Sequence, residues 1–375
     1  MVWQELQDHW EVVYGGALAL AIVVAFAPAV AGMARRLGAV DVPDERRVHR
    51  IPIPRLGGLA MFFGIIVPSL AFLDLSRSMR GLLVGAAVAT VVGAIDDFRG
   101  LRWWEKLGGQ IVAGAIPPIF GVWVDHFTFP LLGVVDLSVW IGVPLTVLWI
   151  VAVMNMVNFL DGLDGLAAGV CGIAGGTFAV IALSLGKPNA AGFSAIVLGA
   201  TLGFLRHNFF PARVFMGDSG AMLLGFSLAA VSVEGLLKTA ATVALFFPLL
   251  VLAVPILDTG FVVARRLKYH QPITAPDRAH LHHRFVNIGF SQPRAVLYIY
   301  FWVATLAAAA LGTRFIPFRE GGHWHTGSTI AAAAIGALAV GASIYMVYLL
   351  EIVKLANPRV RRRRRQAEER ERRSA

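Results

Sequence analysis

Charge is what this chain most conspicuously lacks. Only 15% of its 375 residues are Asp, Glu, Lys or Arg, against roughly a quarter in a soluble domain. That is too few to wet a globular surface, and it suits a surface facing lipid. Cysteine is nearly absent: Cys171 is the only one, so no intramolecular disulfide can form. Inside an apolar run it reads as a small buried side chain rather than a reactive thiol. No HExxH zinc pattern occurs, and no G-x-S-x-G turn, which argues against a zinc peptidase and against a hydrolase built on Ser219. No internal repeat is evident, which disfavours transporter folds made of repeated halves.

Apolar residues make up 57% of the chain and fall in runs near the ~20 residues that a spanning helix needs. They predict an all-α polytopic membrane bundle of about eleven spans, at 12–34, 56–73, 80–95, 107–124, 140–158, 166–185, 190–206, 218–236, 240–264, 294–313 and 328–353. With the C-terminus inside, the inside segments hold 27 Lys/Arg and the outside segments 6. The positive-inside rule therefore predicts N-terminus out and C-terminus in.

The first run is preceded by Glu5, Asp8 and Glu11 and followed by Arg35 and Arg36. A signal peptide has the opposite charge order, so this reads as a retained helix. Of the net charge of +10, +7 sits between Lys354 and Arg373. The expected organisation is a single integral membrane catalytic domain, 1–353, and a basic cytoplasmic tail, 354–375. The tail reads as topogenic in preference to a site for nucleic acid or anionic lipid.

Five polar clusters fall at or near the inside ends of these spans, where ionisable residues are costly enough to be functional candidates. Asp96 and Asp97 end an apolar run. A helix C-terminus repels negative charge, so a divalent cation or nearby base should compensate; a loop of solvated acids is the plainer alternative. Arg99, Arg102 and Lys106 follow and suit phosphate contacts, while Trp103 and Trp104 suit the membrane interface. Asn155, Asn158, Asp161 and Asp164 recur at every third position, close together if helical. Their oxygens are suitable hard ligands for Mg²⁺, with interhelical hydrogen bonding by Asn as the alternative.

Phe215-Met-Gly-Asp-Ser-Gly220 leads into a span, where Asp218 or Ser219 could instead be a helix cap. Arg278, His280, His282, His283 and Arg284 crowd one segment; with no Cys nearby, the flanking arginines favour phosphate over zinc. Asp41 to Arg50, followed by Pro52, Pro54 and Gly57-Gly58, is a mixed-charge loop with a rigid end. Asp258 is a further intramembrane carboxylate, and His323 and His325 fall on the outside. Together these residues point to a phosphorylated, partly lipidic substrate, with a divalent ion clamping a diphosphate. A scaffold, or a transporter needing polar residues along a path across the membrane, is the competing class.

DVPDERRVHRIPIPRLGG, DDFRGL with KLGGQ downstream, NMVNFLDGLDGL, FMGDSG and PDRAHLHHRF occur in order across 41–285. They resemble the polyprenyl-phosphate N-acetylhexosamine-1-phosphate transferase superfamily. Within it, the PDR lead-in is similar to the branch that acts on GlcNAc-1-phosphate and initiates O-antigen, teichoic acid or arabinogalactan-linker synthesis. The resemblance implies transfer of GlcNAc-1-phosphate from UDP-GlcNAc to undecaprenyl or another polyprenyl phosphate, with release of UMP. MurNAc-pentapeptide, GalNAc or another modified hexosamine are alternative donors.

It also implies roles for residues. Asp96 and Asp97 match the paired catalytic aspartates, with Asp97 as the candidate base. Asn158 and Asp218 match Mg²⁺ positions, Mn²⁺ being the alternative ion. Lys106 matches a basic residue near the diphosphate. Asp164 matches a uracil-recognition position, and Asp161 lines the same pocket. Arg278, His280, His282 and His283 match the loop that meets sugar and phosphates. The resemblance places the enzyme in the bacterial cytoplasmic membrane, its site facing the cytoplasm, and suggests a homodimer; nucleic acid is not an expected partner.

Overall fold

The computed structural model describes residues 2–41, 52–129, 133–237, 249, 251–268, 290–316, 319–320, 323–324 and 326–349. A short helix α1 (Val2–Asp8) precedes α2 (Glu11–Arg36), α3 (Gly57–Phe72), α4 (Arg77–Arg99), α5 (Trp103–Ile119), α6 (Val139–Leu160), α7 (Leu166–Ser184), α8 (Pro188–Asn208) and α9 (Gly217–Val231). A π-helical turn, Ser232–Leu237, continues α9. Then come α10 (Ala253–Lys268), α11 (Gln292–Phe315) and α12 (Thr326–Leu349). Three small antiparallel hairpins, Val40–Asp41 with Ile53–Pro54, His126–Phe129 with Gly133–Asp136, and Arg319–Glu320 with His323–Trp324, are the strand pairs among the described residues.

Each of the eleven expected spans overlaps one of these helices. Seven helices among the described residues are long and apolar enough to cross a membrane: α2, α4, α6, α7, α8, α11 and most of α12. The helices α3, α5, α9 and α10 have 15–17 residues. They are short for a full crossing, so lengths alone establish a polytopic helical bundle and not a count of eleven.

Burial sorts the helices. From Ser219 to Val231 every residue of α9 is buried, and α7 is buried along most of its length. Both are rich in Gly, Ala and Ser, whose small side chains let neighbouring backbones come close. The helix α9 packs against α4 and α6, while α8 packs against α2 and α7. Outer helices turn Phe26, Phe63, Val91, Ile111, Leu148 and Phe301 outward, as a lipid-facing surface requires. Hydroxyls inside the bundle bond their own helix: Ser69 to Ile65 O at 2.7 Å, Thr90 to Ala86 O at 2.8 Å and Ser194 to Ala190 O at 2.7 Å. These hydroxyls thereby keep a partner in a medium that offers none.

Candidate functional site

Four helix ends meet at one end of the bundle: the C-termini of α4 and α6 and the N-termini of α5 and α9. Lys106, in the first turns of α5, lies at the centre. Its Nζ is 2.8 Å from Asp96 Oδ2 at the end of α4 and 2.8 Å from Asp218 Oδ1 at the start of α9. It also lies 3.4 Å from Asn158 Oδ1 in the last turn of α6. Asn158 Nδ2 donates in turn to Asp218 Oδ1. Four residues from three of the expected motifs thus share one knot of charge, most of it withdrawn from solvent.

The adjacent aspartates part company here. Asp96 turns toward Lys106, and its Oδ1 accepts from Leu101 N at 2.7 Å. Asp97 turns away, and its side chain has no exposed surface. Its Oδ1 accepts from Asp218 N at 2.8 Å; its Oδ2 accepts from Ser219 N at 3.0 Å and Ser219 Oγ at 2.8 Å. A carboxylate from α4 therefore caps α9, satisfying two of the N–H groups that a helix N-terminus leaves unpaired, where the helix dipole favours negative charge. Ser219 is itself buried and donates to that carboxylate, a structural bond.

The end of the first-loop motif is present too. Residues 54–58 run beside 215–216 through Phe215 N to Pro54 O (2.8 Å), Gly57 N to Phe215 O (2.9 Å) and Gly58 N to Met216 O (2.8 Å). Arg55 Nε comes within 3.7 Å of Asp97 Oδ1.

Asp161 and Asp164 lie in the turn between α6 and α7. Asp164 Oδ2 accepts from Ala212 N at 2.9 Å, which ties this turn to the loop between α8 and α9. Asn208 makes a second tie, accepting from Gly165 N at 3.0 Å and donating to Val214 O at 2.9 Å. Burial, and then the negative charges of Asp218, Asp97 and Asp164, push the Asp161 carboxyl up to about 8. Asn155 stands apart from this group. It exchanges amide hydrogen bonds with Gln110 of α5, at 2.8 and 3.4 Å, the interhelical role that its residue type allows.

Trp103 and Trp104 are 58% and 50% exposed, and Arg102 lies over the Trp104 ring at 5.3 Å. Arg278, His280, His282 and His283 lie outside the described residues. Asn208 and Tyr300 carried no sequence signal; neither falls in any of the five polar clusters. Among the described residues, no three His, Cys, Asp or Glu side chains form a metal-binding group.

The glycosyl transferase family 4 model matches residues 79–236, the stretch that contributes Asp96, Lys106, Asn158, Asp161, Asp164 and Asp218. The Bacillus subtilis (strain 168) protein named "Probable undecaprenyl-phosphate N-acetylglucosaminyl 1-phosphate transferase" is 41% identical over 76% of this chain and 79% of its own length. The decaprenyl-phosphate N-acetylglucosaminephosphotransferase of Mycobacterium tuberculosis (strain ATCC 25618 / H37Rv) is 37% identical over 89% of this chain and 88% of its own. A phospho-N-acetylmuramoyl-pentapeptide-transferase of Desulforudis audaxviator (strain MP104C) is 33% identical over 71% of this chain and 85% of its own.

Proposed function

The chain belongs to glycosyl transferase family 4, and from that footing we propose that it transfers GlcNAc-1-phosphate from UDP-GlcNAc to undecaprenyl phosphate, releasing UMP. The reaction is the first membrane step of envelope polysaccharide synthesis, carried out by a multi-pass protein of the bacterial inner membrane. The choice of sugar rests on greater similarity to the N-acetylglucosamine-phosphate transferases than to the muramoyl-pentapeptide enzyme. The observation that carries the chemistry is the convergence of Asp96, Lys106, Asn158 and Asp218 at one end of an otherwise apolar bundle. Polar residues strung across the membrane would have favoured a transporter.

In this reading an oxygen of the lipid phosphate attacks the β-phosphorus of UDP-GlcNAc, and the bond to the bridging oxygen breaks as UMP leaves. The resemblance points to Asp97 as base, but its side chain has no exposed surface and is held by the backbone it caps at α9. We assign the base to Asp96, which lies on the Lys106 side, and make Asp97 a positioning residue that fixes Asp218. Lys106 supplies positive charge next to the reacting phosphates, where phosphoryl transfer depends on positioning and charge stabilisation. Asp161 and Asp164 are proposed to face the nucleoside; Arg278, His280, His282 and His283 to meet sugar and phosphates.

Family membership implies Mg²⁺, with Mn²⁺ as an alternative, and the donor set fits a hard divalent ion. Asp218 and Asn158 present oxygens toward one point that already attracts a cationic group, and Mg²⁺ needs only one or two carboxylates when substrate phosphates complete its shell. Asp218 and Asn158 would hold the ion, which when bound neutralises charge developing on the diphosphate.

Eleven crossings, a cytoplasmic site, a single catalytic domain over 1–353 with a topogenic tail over 354–375, and a homodimer complete the proposal. The first two rest on hydropathy and the charge split; the tail rests on its run of basic residues and the homodimer on the resemblance. The test is a panel of UDP-sugars given to the purified enzyme with undecaprenyl phosphate and Mg²⁺, scored for UMP. UDP-GlcNAc should turn over fastest. Silence with UDP-GlcNAc beside robust turnover of UDP-MurNAc-pentapeptide or UDP-GalNAc would overturn the donor assignment.

A further inference from the structure

Gly165 closes the turn that carries Asp161 and Asp164, in the left-handed region at φ +80°. Both of its peptide groups are held from other helices. Its N–H donates to Asn208 of α8 at 3.0 Å. Its carbonyl accepts from the Tyr300 hydroxyl of α11 at 2.5 Å, as well as from Gly169 N in the first turn of α7, at 2.9 Å. The Tyr300 ring lies flush against that same turn: a Cβ on Gly169 would stand 2.0 Å from the ring. The side chain is half-buried between α11 and α7, two helices in contact. The mechanism leaves Tyr300 without a task, and no motif contains it. Among the described residues it also lies on the first helix after the histidine-rich segment, 17 residues beyond His283.

We propose that Tyr300 is a positioning residue for donor binding. Its hydroxyl fixes the Gly165 carbonyl and so sets the Asp161–Asp164 turn in the orientation that receives the nucleoside of the UDP-sugar. The inference rests on the reading that this turn faces the nucleoside. The Gly165 carbonyl keeps its helical partner when the hydroxyl is removed, so the turn is loosened while the helix stays capped. The consequence should be specific to the nucleotide, because in this reading the turn meets the nucleoside and not the acceptor lipid.

The experiment is Tyr300→Phe in the full chain purified in detergent, with Asp164→Asn as a reference. The KM for UDP-GlcNAc, the KM for undecaprenyl phosphate, kcat and inhibition by UMP are all measured. For Tyr300→Phe the KM for UDP-GlcNAc should rise about three- to tenfold, the effect of one lost hydrogen bond. The UMP inhibition constant should rise in parallel, while kcat and the lipid KM stay within about twofold. A fall in kcat with unchanged KM, or an equal rise in both KM values, would mean general destabilisation and overturn the inference. If Asp164→Asn weakens UMP inhibition and Tyr300→Phe does not, the positioning role fails while the nucleoside-facing turn stands. If neither weakens it, the reading of the turn fails and the inference with it.

Discussion

Neighbouring residues on a helix point about 100° apart, and at the end of α4 that angle separates two tasks. Asp96 reaches the Lys106 ammonium, while Asp97 reaches the backbone of α9. The two Asp→Asn variants should therefore fail differently. Asp96→Asn keeps the shape and loses the base, so kcat should fall about a hundredfold or more with little change in unfolding. Asp97→Asn sets an amide N–H₂ against N–H groups that need an acceptor, and should cost about 2–3 kcal/mol of stability as well as activity. Unfolding titrations in mixed detergent, read beside UMP release, check both; an Asp97→Asn protein of normal stability would return Asp97 to the list of bases.

Asp161 carries the pH prediction. Its carboxyl is raised from 3.8 to about 8, so between these values the folded chain keeps a proton that the unfolded chain gives up. Stability should then fall as pH rises from about 4 to about 8, the penalty being complete above the folded value. Melting in the presence of a chelator should show this slope, and Asp161→Asn should flatten it.

At the scale of elements, the bundle depends on close approach between α4 and α9. A Cβ on Gly93 would lie 2.5 Å from both Asp218 O and Ser219 Cα, backbone atoms that cannot swing aside. Gly93→Ala should wedge the two helices apart just where Asp97 caps α9, costing about 1–3 kcal/mol and lowering activity with it. Gly108→Ala, which meets nothing within 4 Å, is the matched control; equal behaviour of the two would refute this account of the packing.

The same helices show what could be read beforehand. Apolar runs locate α2 to α9, and polar residues at run ends mark where helices stop, so the meeting of Asp96, Asn158 and Asp218 was legible as a one-sided cluster. Which face of α4 meets α9 was not, because that depends on a packing partner 120 residues away, and so Asp96 and Asp97 could not be told apart. The span expected at 107–124 is displaced, α5 starting at Trp103 and ending at Ile119, and that expected at 218–236 is α9 with its π-helical last turn, because hydropathy does not register where a helix starts, turns or changes its winding. Asn155 shared the spacing of its neighbours but faces Gln110, one turn deeper than Asn158. Asn208 and Tyr300 act through backbone groups of other segments, and such a role leaves no pattern of spacing.

For the whole molecule the remaining question is which way the bundle sits. The four helix ends that form the site lie beside segments counted as inside, with Arg99, Arg102, Lys106, Arg206 and Arg213, and the 27-to-6 division of positive charge is the ground for proposing that this side faces the cytoplasm. A cytoplasmic site is also where a nucleotide-sugar donor is available to an enzyme whose acceptor stays in the lipid. The chain is already suited to a direct measurement, since its sole cysteine, Cys171, is buried at 1% exposure and should not react. Single cysteines can then be placed at two exposed positions, Arg213 in the loop between α8 and α9 and Ser138 just before α6. With a membrane-impermeant maleimide, Arg213→Cys should label in inverted vesicles and stay dark in spheroplasts, and Ser138→Cys should do the reverse. Labelling of Arg213→Cys from outside would turn the bundle over and separate the Asp96–Lys106–Asp218 cluster from its donor, which the proposed reaction cannot survive.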